Sequence, residues 1–346
     1  MKIVVLMGGE STEREVSLVT GDQISKALTE NGHQIIKIDP IATRDEQSEL
    51  NQTDKHWIGI DIPEYEGMTL HRDSLYFRNM MLLKRIRPDV VFNALHGGYG
   101  EDGVVQGMLD AAGIRYTGSG RIASMLAMQK DLSKMFFRNA NIPTPRALAL
   151  DRPDDSRKKV KQLALPQVVK PNDQGSTIGI TIVNNQDELE TAIELAFKFS
   201  NRVLIEEYIA GREITVAILR QRALPPLEIA PKHGLYDYEC KYTSGMSAYI
   251  CPAQLSPELT QELQILALRA HNILGCSGYS RIDFRVSEKN EPFVLEVNTL
   301  PGMTGTSLVP KMAKAVGINF NSLVEAIIEE ALAQYANARD FSYREE

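Results

Sequence analysis

Three oxygen-bearing side chains in the C-terminal third, Asp283, Glu296 and Asn298, are spaced so that two paired strands would bring them together. The stretch from Ser280 to Thr304, SRIDFRVSEKNEPFVLEVNTLPGMT, reads as two strands joined by a polar turn from Ser287 to Glu291, with Pro292 opening the second. Side chains alternate across a strand, so Arg281, Asp283 and Arg285 share one face and Ile282, Phe284 and Val286 the other. The same rule predicts that Phe293, Leu295 and Val297 share a face of the partner strand, with Glu296 and Asn298 opposite. One surface of such a pair packs on a core; the other gathers a guanidinium, two carboxylates and an amide. Hard oxygen donors on a rigid support, with substrate phosphates completing the shell, are what a nucleotide-bound Mg²⁺ needs. On alternation alone the plainer reading is preferred, an amphipathic hairpin with a charged, solvated outer face. The stiff, partly apolar turn NTLPGM that follows is an odd way to leave a solvated edge.

Further groups capable of chemistry sit at predicted strand ends. QVVKP, Gln167 to Pro171, is a strand ending in Lys170, and the small, flexible NDQGSTIGI follows it. Such a loop suits a phosphate cover, with the ammonium as point charge and backbone amides as donors. It lacks the GK[ST] of a P-loop, and a plain hairpin loop remains the alternative. His96 opens HGGYGEDG, four glycines in eight residues straight after a buried strand, where substrate contact and a satisfied loop histidine are both open. Glu13 stands at a predicted helix start beside a strand-end crevice. On this ground alone the plainer reading is preferred, a carboxylate offsetting the helix dipole by about 0.3–1 kcal/mol. Gly234 to Cys251, rich in Tyr, Gly and Ser, has the composition of a lid loop, with Lys241 and Tyr242 at its middle.

The elements that must position these groups are those of an ordinary soluble chain. It has 346 residues, 43% hydrophobic and 24% charged, enough for two or three domains with real cores. A net charge of −7 argues against nucleic acid as partner, and no run approaches the ~18 apolar residues of a membrane span. The opening strand is too short in apolar residues for a signal peptide. Cys240, Cys251 and Cys276 are odd in number and lack CxxC spacing, which fits reduced cytosolic thiols rather than disulfides or zinc. There is no internal repeat. Lys2 to Met7, a Thr12–Glu15 capping box, a helix to about Glu30 and a strand from His33 to Ile38 make a βαβ opening. GxGxxG is absent, so a nicotinamide dehydrogenase has weak support. Residues 41–75 read as an irregular insertion with a short alternating piece at Trp57 to Ile62. Helices are expected over 78–86 and 104–112, a last strand of the first domain over 115–120, and one helix over 122–140 containing Lys130. IPTPRALAL is a connector; helices near 185–200, 257–274, 307–315 and 320–336 and strands near 202–209 and 213–219 complete the chain.

With these pieces in order the chain resembles the D-alanine–D-alanine ligase family of ATP-grasp enzymes. The resemblance rests on GGESTEREVSL (8–18), HGGYGEDG (96–103), the Lys130 helix, VVKPNDQGSTIG (168–179), VLIEEYIAGREITVA (203–217), YDYECKY (236–242), SRIDF (280–284) and EVNTLPGMTGTSL (296–308). It covers all but the insertion and the C-terminal tail. It implies an α/β and α+β architecture: an N-terminal Rossmann-like (pre-ATP-grasp) parallel sheet domain, 1–120, followed by a two-part ATP-grasp fold, 121–206 and 207–346.

The chemistry it implies is cytoplasmic ligation of two D-alanines through an acyl phosphate, for peptidoglycan precursors, with ATP and two Mg²⁺ (or Mn²⁺). By this resemblance Asp283, Glu296 and Asn298 hold the metals, and Lys130, Lys170 and Lys241 contact ATP phosphates. Glu206, Glu207, Tyr208, Ile209 and Glu213 line the nucleotide pocket, Glu213 on the ribose. Arg281 and the Gly302 N–H stabilise the acyl oxygen. Glu13 binds the first substrate's ammonium, His96 lies near its carboxylate, and Ser307 and Leu308 hold the second substrate's carboxylate. Ser176 and Tyr242 hydrogen-bond with Glu13 and close the loop and lid. Tyr242 favours the dipeptide over D-alanyl-D-lactate; Cys240 departs from a common alanine. A homodimer is expected from the family alone. The alternatives are a D-Ala-D-Ser or D-Ala-D-lactate ligase and, against the intact acid and lysine set, a non-catalytic nucleotide sensor.

Overall fold

The structure, a computed structural model, describes residues 1–51, 72–152, 160, 163–231 and 247–339. The expected alternating piece at Trp57 to Ile62, most of the lid stretch with Cys240, Lys241 and Tyr242, and the last residues of the tail lie outside them. Strand β1 (Lys2–Leu6) is the middle of a parallel sheet between β2 (Gln34–Ile38) and β3 (Val90–Asn93). Ile3, Val4, Val5 and Leu6 are all buried, as a strand covered on both faces requires.

Helix α1 (Arg14–Glu30) makes the crossover. The expected Thr12–Glu15 capping box does not form: Glu13 takes the N-cap position without a side-chain cap bond, and its N–H donates to Ser11 Oγ at 3.1 Å. Its carboxylate is engaged across the cleft described below. Part of the supposedly irregular insertion is helical, in α2 (Arg44–Leu50) and the start of α3 (Arg72–Ile86); Thr43 and Glu46 supply α2 with a reciprocal capping box that a polar tract hides. Helix α4 (Val104–Ala112) is as expected. Residues 115–120 add one bridge, Tyr116 to Val91, rather than a strand, since Thr117 Oγ1 takes the Asn93 N–H that a ladder would use.

The expected single helix over 122–140 is two, α5 (Arg121–Met128) and α6 (Lys130–Asn139), broken at Gln129. Asn172 holds the break. Its carbonyl accepts the Lys130 N–H at 3.1 Å, its Oδ1 the Asp131 N–H at 2.9 Å, and its Nδ2 donates to Gln129 Oε1 at 2.7 Å. These bonds satisfy donors that a helix start leaves open and fix Lys130 beside the loop after β5. The antiparallel sheet here runs β4 (Ala147–Asp151), β7 (Arg202–Glu207), β5 (Gln167–Pro171), β6 (Thr181–Val183), with β4 lying inside the expected connector. Helix α7 (Leu189–Ala196) buries Ala192 and Ile193 in the same core.

The third sheet comprises β8 (Gly211–Leu219), β9 (Arg222–Ala223), β10 (Leu227–Pro231), β11 (Ser247–Ile250), β12 (Tyr279–Ser287) and β13 (Pro292–Asn298). Its path is β11-β10-β8-β12-β13, antiparallel throughout, with β9 beside β8. Helix α8 (Pro257–Ile273) covers one face, Leu263 and Ala267 packing with Ile282, Phe284, Val286, Val294 and Val297. Helices α9 (Leu308–Ala315) and α10 (Phe320–Arg339) share a core with the first sheet, where Ile327 and Ile328 meet Ile3, Val5 and Ile24. The two ends of the chain are thereby tied together.

One expectation for the β12–β13 hairpin is overturned. Phe293, Leu295 and Val297 do not share a face. Asp283 stands opposite Glu296 but Phe284 opposite Val294, so Leu295 is the extra residue of a β-bulge. The bulge reverses the alternation: Val294 and Val297 are buried, while Phe293, Leu295, Glu296 and Asn298 are only partly covered.

Candidate active site

The antiparallel sheets and the carboxyl ends of the parallel strands enclose a cleft of about 590 Å³. At one end α1 and the loop after β3 present Glu13 and His96. Ser176 Oγ donates to Glu13 Oε1 from the loop after β5, and a Cβ built at Gly97 (φ +66°) would come within 3.3 Å of Glu13 Oε2. His96 is nearly buried, its Nδ1 3.0 Å from the Leu300 carbonyl and its Nε2 3.1 Å from Thr20 Oγ1. A carbonyl only accepts, so Nδ1 carries a proton toward Leu300. Glu101, which the sequence reading left without a role, also lines the cleft, 3.8 Å from His96 Nδ1. Burial raises its pKa, with Glu13 adding to the rise and His96 opposing it.

At the other end Lys170, at the close of β5, donates to Glu206 Oε1 at 2.5 Å. Burial works against the charge on Glu206, but two lysines, Lys134 and Lys170, hold its pKa below the ordinary value. Glu207, Tyr208, Ile209 and Glu213 continue the same wall. Arg285 pins this wall: its guanidinium lies 5.6 Å over the Tyr208 ring, Nε donates to the Ile209 carbonyl at 3.0 Å and Nη2 to the Gly211 carbonyl at 2.8 Å. Lys130 Nζ donates to the Gln174 carbonyl at 2.7 Å and lies 3.4 Å from Glu296 Oε2, so it spans from the loop to β13.

Between the two ends lies the acid pair. Asp283 and Glu296 are cross-strand partners, as are Arg281 and Asn298. Arg281 grips Asp283 with Nε to Oδ1 at 2.8 Å and Nη2 to Oδ2 at 2.7 Å, and Thr215 Oγ1 donates to the same Oδ1 at 2.7 Å. Asn298 Oδ1 accepts the Leu300 N–H at 2.9 Å. Gly302, Ser307 and Leu308 line the cleft beyond, at the start of α9, and Ser307 Oγ accepts the Thr304 N–H at 3.0 Å. Among the described residues no three His, Cys, Asp or Glu side chains converge as an all-protein metal cage. Two carboxylates and an amide, to be completed by phosphate oxygens, are nevertheless a donor set that suits Mg²⁺. Every site residue expected from the sequence that the structure describes lines this one cleft; Lys241 and Tyr242 fall outside the described residues. Beyond Glu101, the sequence reading missed Arg285 and Lys134, whose helical and strand surroundings mark them only as charged side chains.

Known proteins are similar to this chain along its length. The family model described as D-ala D-ala ligase N-terminus matches residues 2–119, and that described as D-ala D-ala ligase C-terminus matches 136–329. A D-alanine–D-alanine ligase of Geobacter sulfurreducens is 42% identical over 331 residues, covering 95% of this chain and 94% of that protein. Among solved structures, a Bacillus anthracis D-alanine–D-alanine ligase complexed with ATP superposes with a TM-score of 0.78 at 33% identity, covering 98% of this chain and 99% of that one. VanG, a D-Ala:D-Ser ligase from Enterococcus faecalis, gives 0.76 at 30% identity over 95% and 99%. The parallel sheet with two antiparallel sheets behind it is thus the ATP-grasp architecture of these ligases, and the chain belongs to the D-alanine–D-alanine ligase family.

Proposed function

We propose that this protein joins two D-alanines into D-alanyl-D-alanine, cleaving ATP to ADP and phosphate. The observation that supports this most directly is the shared cleft. An ammonium site (Glu13), a phosphate grip (Lys130, Lys170) and an acid pair (Asp283, Glu296) face one cleft, with an arginine (Arg281) among them.

The reaction follows from that order. Glu13 holds the ammonium of the first D-alanine, leaving its carboxylate toward the acid pair, and His96 lies beside it. One carboxylate oxygen attacks the γ-phosphorus while the bond to ADP breaks, giving an acyl phosphate. Lys130 and Lys170 hold the phosphates in line, which is most of what the protein contributes to phosphoryl transfer. Asp283, Glu296 and Asn298 would hold Mg²⁺, which supplies positive charge against the charge building on the phosphoryl oxygens. The amine of the second D-alanine, held by its carboxylate at Ser307 and Leu308, then attacks the acyl carbon. The carbonyl oxygen becomes anionic in reach of Arg281 and the Gly302 N–H, and phosphate leaves as the carbonyl re-forms. Ser176, bonded to Glu13, keeps the phosphate loop over the intermediate and water away from it.

The test is product identification. D-alanine, ATP and Mg²⁺ are expected to yield ADP, phosphate and a dipeptide of two D-alanines by mass spectrometry, with L-amino acids inert. Absence of phosphate release would overturn the reading. D-serine or D-lactate taken as second substrate in preference to D-alanine would move the assignment to the related ligases.

A further inference from the structure

Beneath the nucleotide end of the cleft the chain buries a lysine that none of these steps uses. Lys134 lies one turn after Lys130 on α6 and is 0% exposed. Its Nζ is 2.9 Å from Glu206 Oε2 and donates to Thr144 Oγ1 at 2.8 Å. Thr144 in turn donates to the Val294 carbonyl of β13 at 2.7 Å, so the ammonium is anchored from the side away from the cleft. The other oxygen of Glu206 takes Lys170. One buried carboxylate therefore serves two ammonium groups, and only that of Lys170 belongs to a residue lining the cleft.

A buried carboxylate stripped of its partner is strongly unfavourable. Were Lys170 the only partner, any shift of its ammonium toward an arriving phosphate would leave Glu206 bare. With Lys134 fixed on the far oxygen, Glu206 stays neutralised whichever way Lys170 turns. We infer that Lys134 is a positioning residue, a permanent counter-ion to Glu206 that releases Lys170 to engage the phosphates of ATP. Burial, which lowers the Lys134 pKa to about 8 against the opposing pull of Glu206, shows how much that pairing must offset. The inference rests on the nucleotide reading of the cleft.

The experiment is calorimetric titration of the full chain with the non-hydrolysable analogue AMP-PNP and Mg²⁺. The proteins compared are the wild type, Lys134→Met, Lys134→Arg, Glu206→Gln, Lys170→Met and the double variant Lys134→Met with Glu206→Gln. Lys134→Met is expected to weaken the analogue by about tenfold or more, with KM for D-alanine at saturating ATP unchanged within about twofold. Lys134→Arg, which keeps the charge, restores most of the affinity. Neutralising Glu206 removes the need for the counter-ion, so the double variant binds as Glu206→Gln alone does, within about threefold. A Lys134→Met protein that binds like wild type, or a double variant about tenfold weaker than Glu206→Gln, overturns the inference. Should Lys134→Met not fold, the comparison of Glu206→Gln with the double variant decides in the same way. Loss of affinity in Lys170→Met but not in Lys134→Met removes this inference and leaves the nucleotide reading standing. A wild type that does not bind the analogue removes both.

Discussion

Ser176 Oγ donates a hydrogen bond to Glu13 Oε1 across 163 positions of sequence, joining the loop after β5 to the N-cap of α1. A glycine in a third segment, the loop after β3, leaves room for the Glu13 carboxylate. Gly97 holds a left-handed φ of +66° with Glu13 Oε2 where a Cβ would crowd it. The carboxylate proposed to take the first substrate is thus also the catch for the loop proposed to cover the phosphates.

That double duty separates two effects on activity. Ser176→Ala leaves Glu13 in place but unlatches the loop, so water reaches the acyl phosphate more often. The expected result is an ADP-to-dipeptide ratio raised by about threefold or more, with kcat for ATP cleavage little changed. Glu13→Gln removes the ammonium site itself and is expected to lower kcat/KM for D-alanine by about a hundredfold. Coupled ADP release and dipeptide quantification on the same samples check both. A ratio near one in Ser176→Ala would show that the bond does not retain the loop.

Asp283 is oriented by two neighbours before any ligand arrives, Arg281 through both oxygens and Thr215 through one. Asp283→Asn keeps the shape but removes the charge opposite Glu296, and kcat is expected to fall about 10²–10³-fold with a higher Mg²⁺ requirement. Thr215→Val removes only one orienting bond and should cost about threefold to tenfold. Initial rates against Mg²⁺ concentration distinguish the two; Asp283→Asn with wild-type rates would take that residue out of the metal role.

How far the molecule could be read beforehand depended on whether a feature was local. Lys170 at the end of QVVKP, His96 after a buried strand and Asp283 on an alternating strand announce themselves within a few residues, and the structure places them in one cleft. The break at Gln129 does not, because the residue that enforces it, Asn172, is 43 positions away. Lys134 sits in KDLSKMFFRN, where it looks like any helix-surface lysine, and only the folded chain shows Glu206 and Thr144 against it. In FVLEVN three successive side chains, Val294, Leu295 and Glu296, admit two phase assignments, and strict alternation chose the wrong one.

The bulge can be tested by placing a charge at each of the two positions. Val294 is 0% exposed in the core under α8, so Val294→Lys should destabilise the chain by about 3–5 kcal/mol, from an unpaired buried charge. Leu295 lines the cleft, so Leu295→Lys is expected to fold with a Tm within a few degrees of wild type and to show its effect in KM for ATP. Thermal melts of the two variants are sufficient. The reverse ranking would restore unbroken alternation.

His271 gives the fold a predictable response to acid. It is 0% exposed on α8, with Nδ1 2.7 Å from Ser280 Oγ and Nε2 3.4 Å from Gln221 Nε2. An amide nitrogen only donates, so Nε2 accepts and the ring is neutral; protonation would set two donors against each other. Burial holds its pKa down at about 4, below the 6.5 of an unfolded histidine. The unfolded chain therefore takes up the proton first, and this contribution is fully present above pH 6.5 and lost as the pH falls through about 4. The difference is roughly 3 kcal/mol over that window. His271→Asn, which cannot titrate there, should be less stable than wild type at pH 7.5, and the gap should narrow by roughly that amount by pH 4. Urea midpoints for the pair at pH 7.5, 6, 5 and 4 check it, and because both proteins share every other acid-sensitive group, only the narrowing is attributed to His271. A gap that stays constant across the series would mean that the ring titrates in the native chain as it does unfolded, and a gap that widens that the native ring is charged.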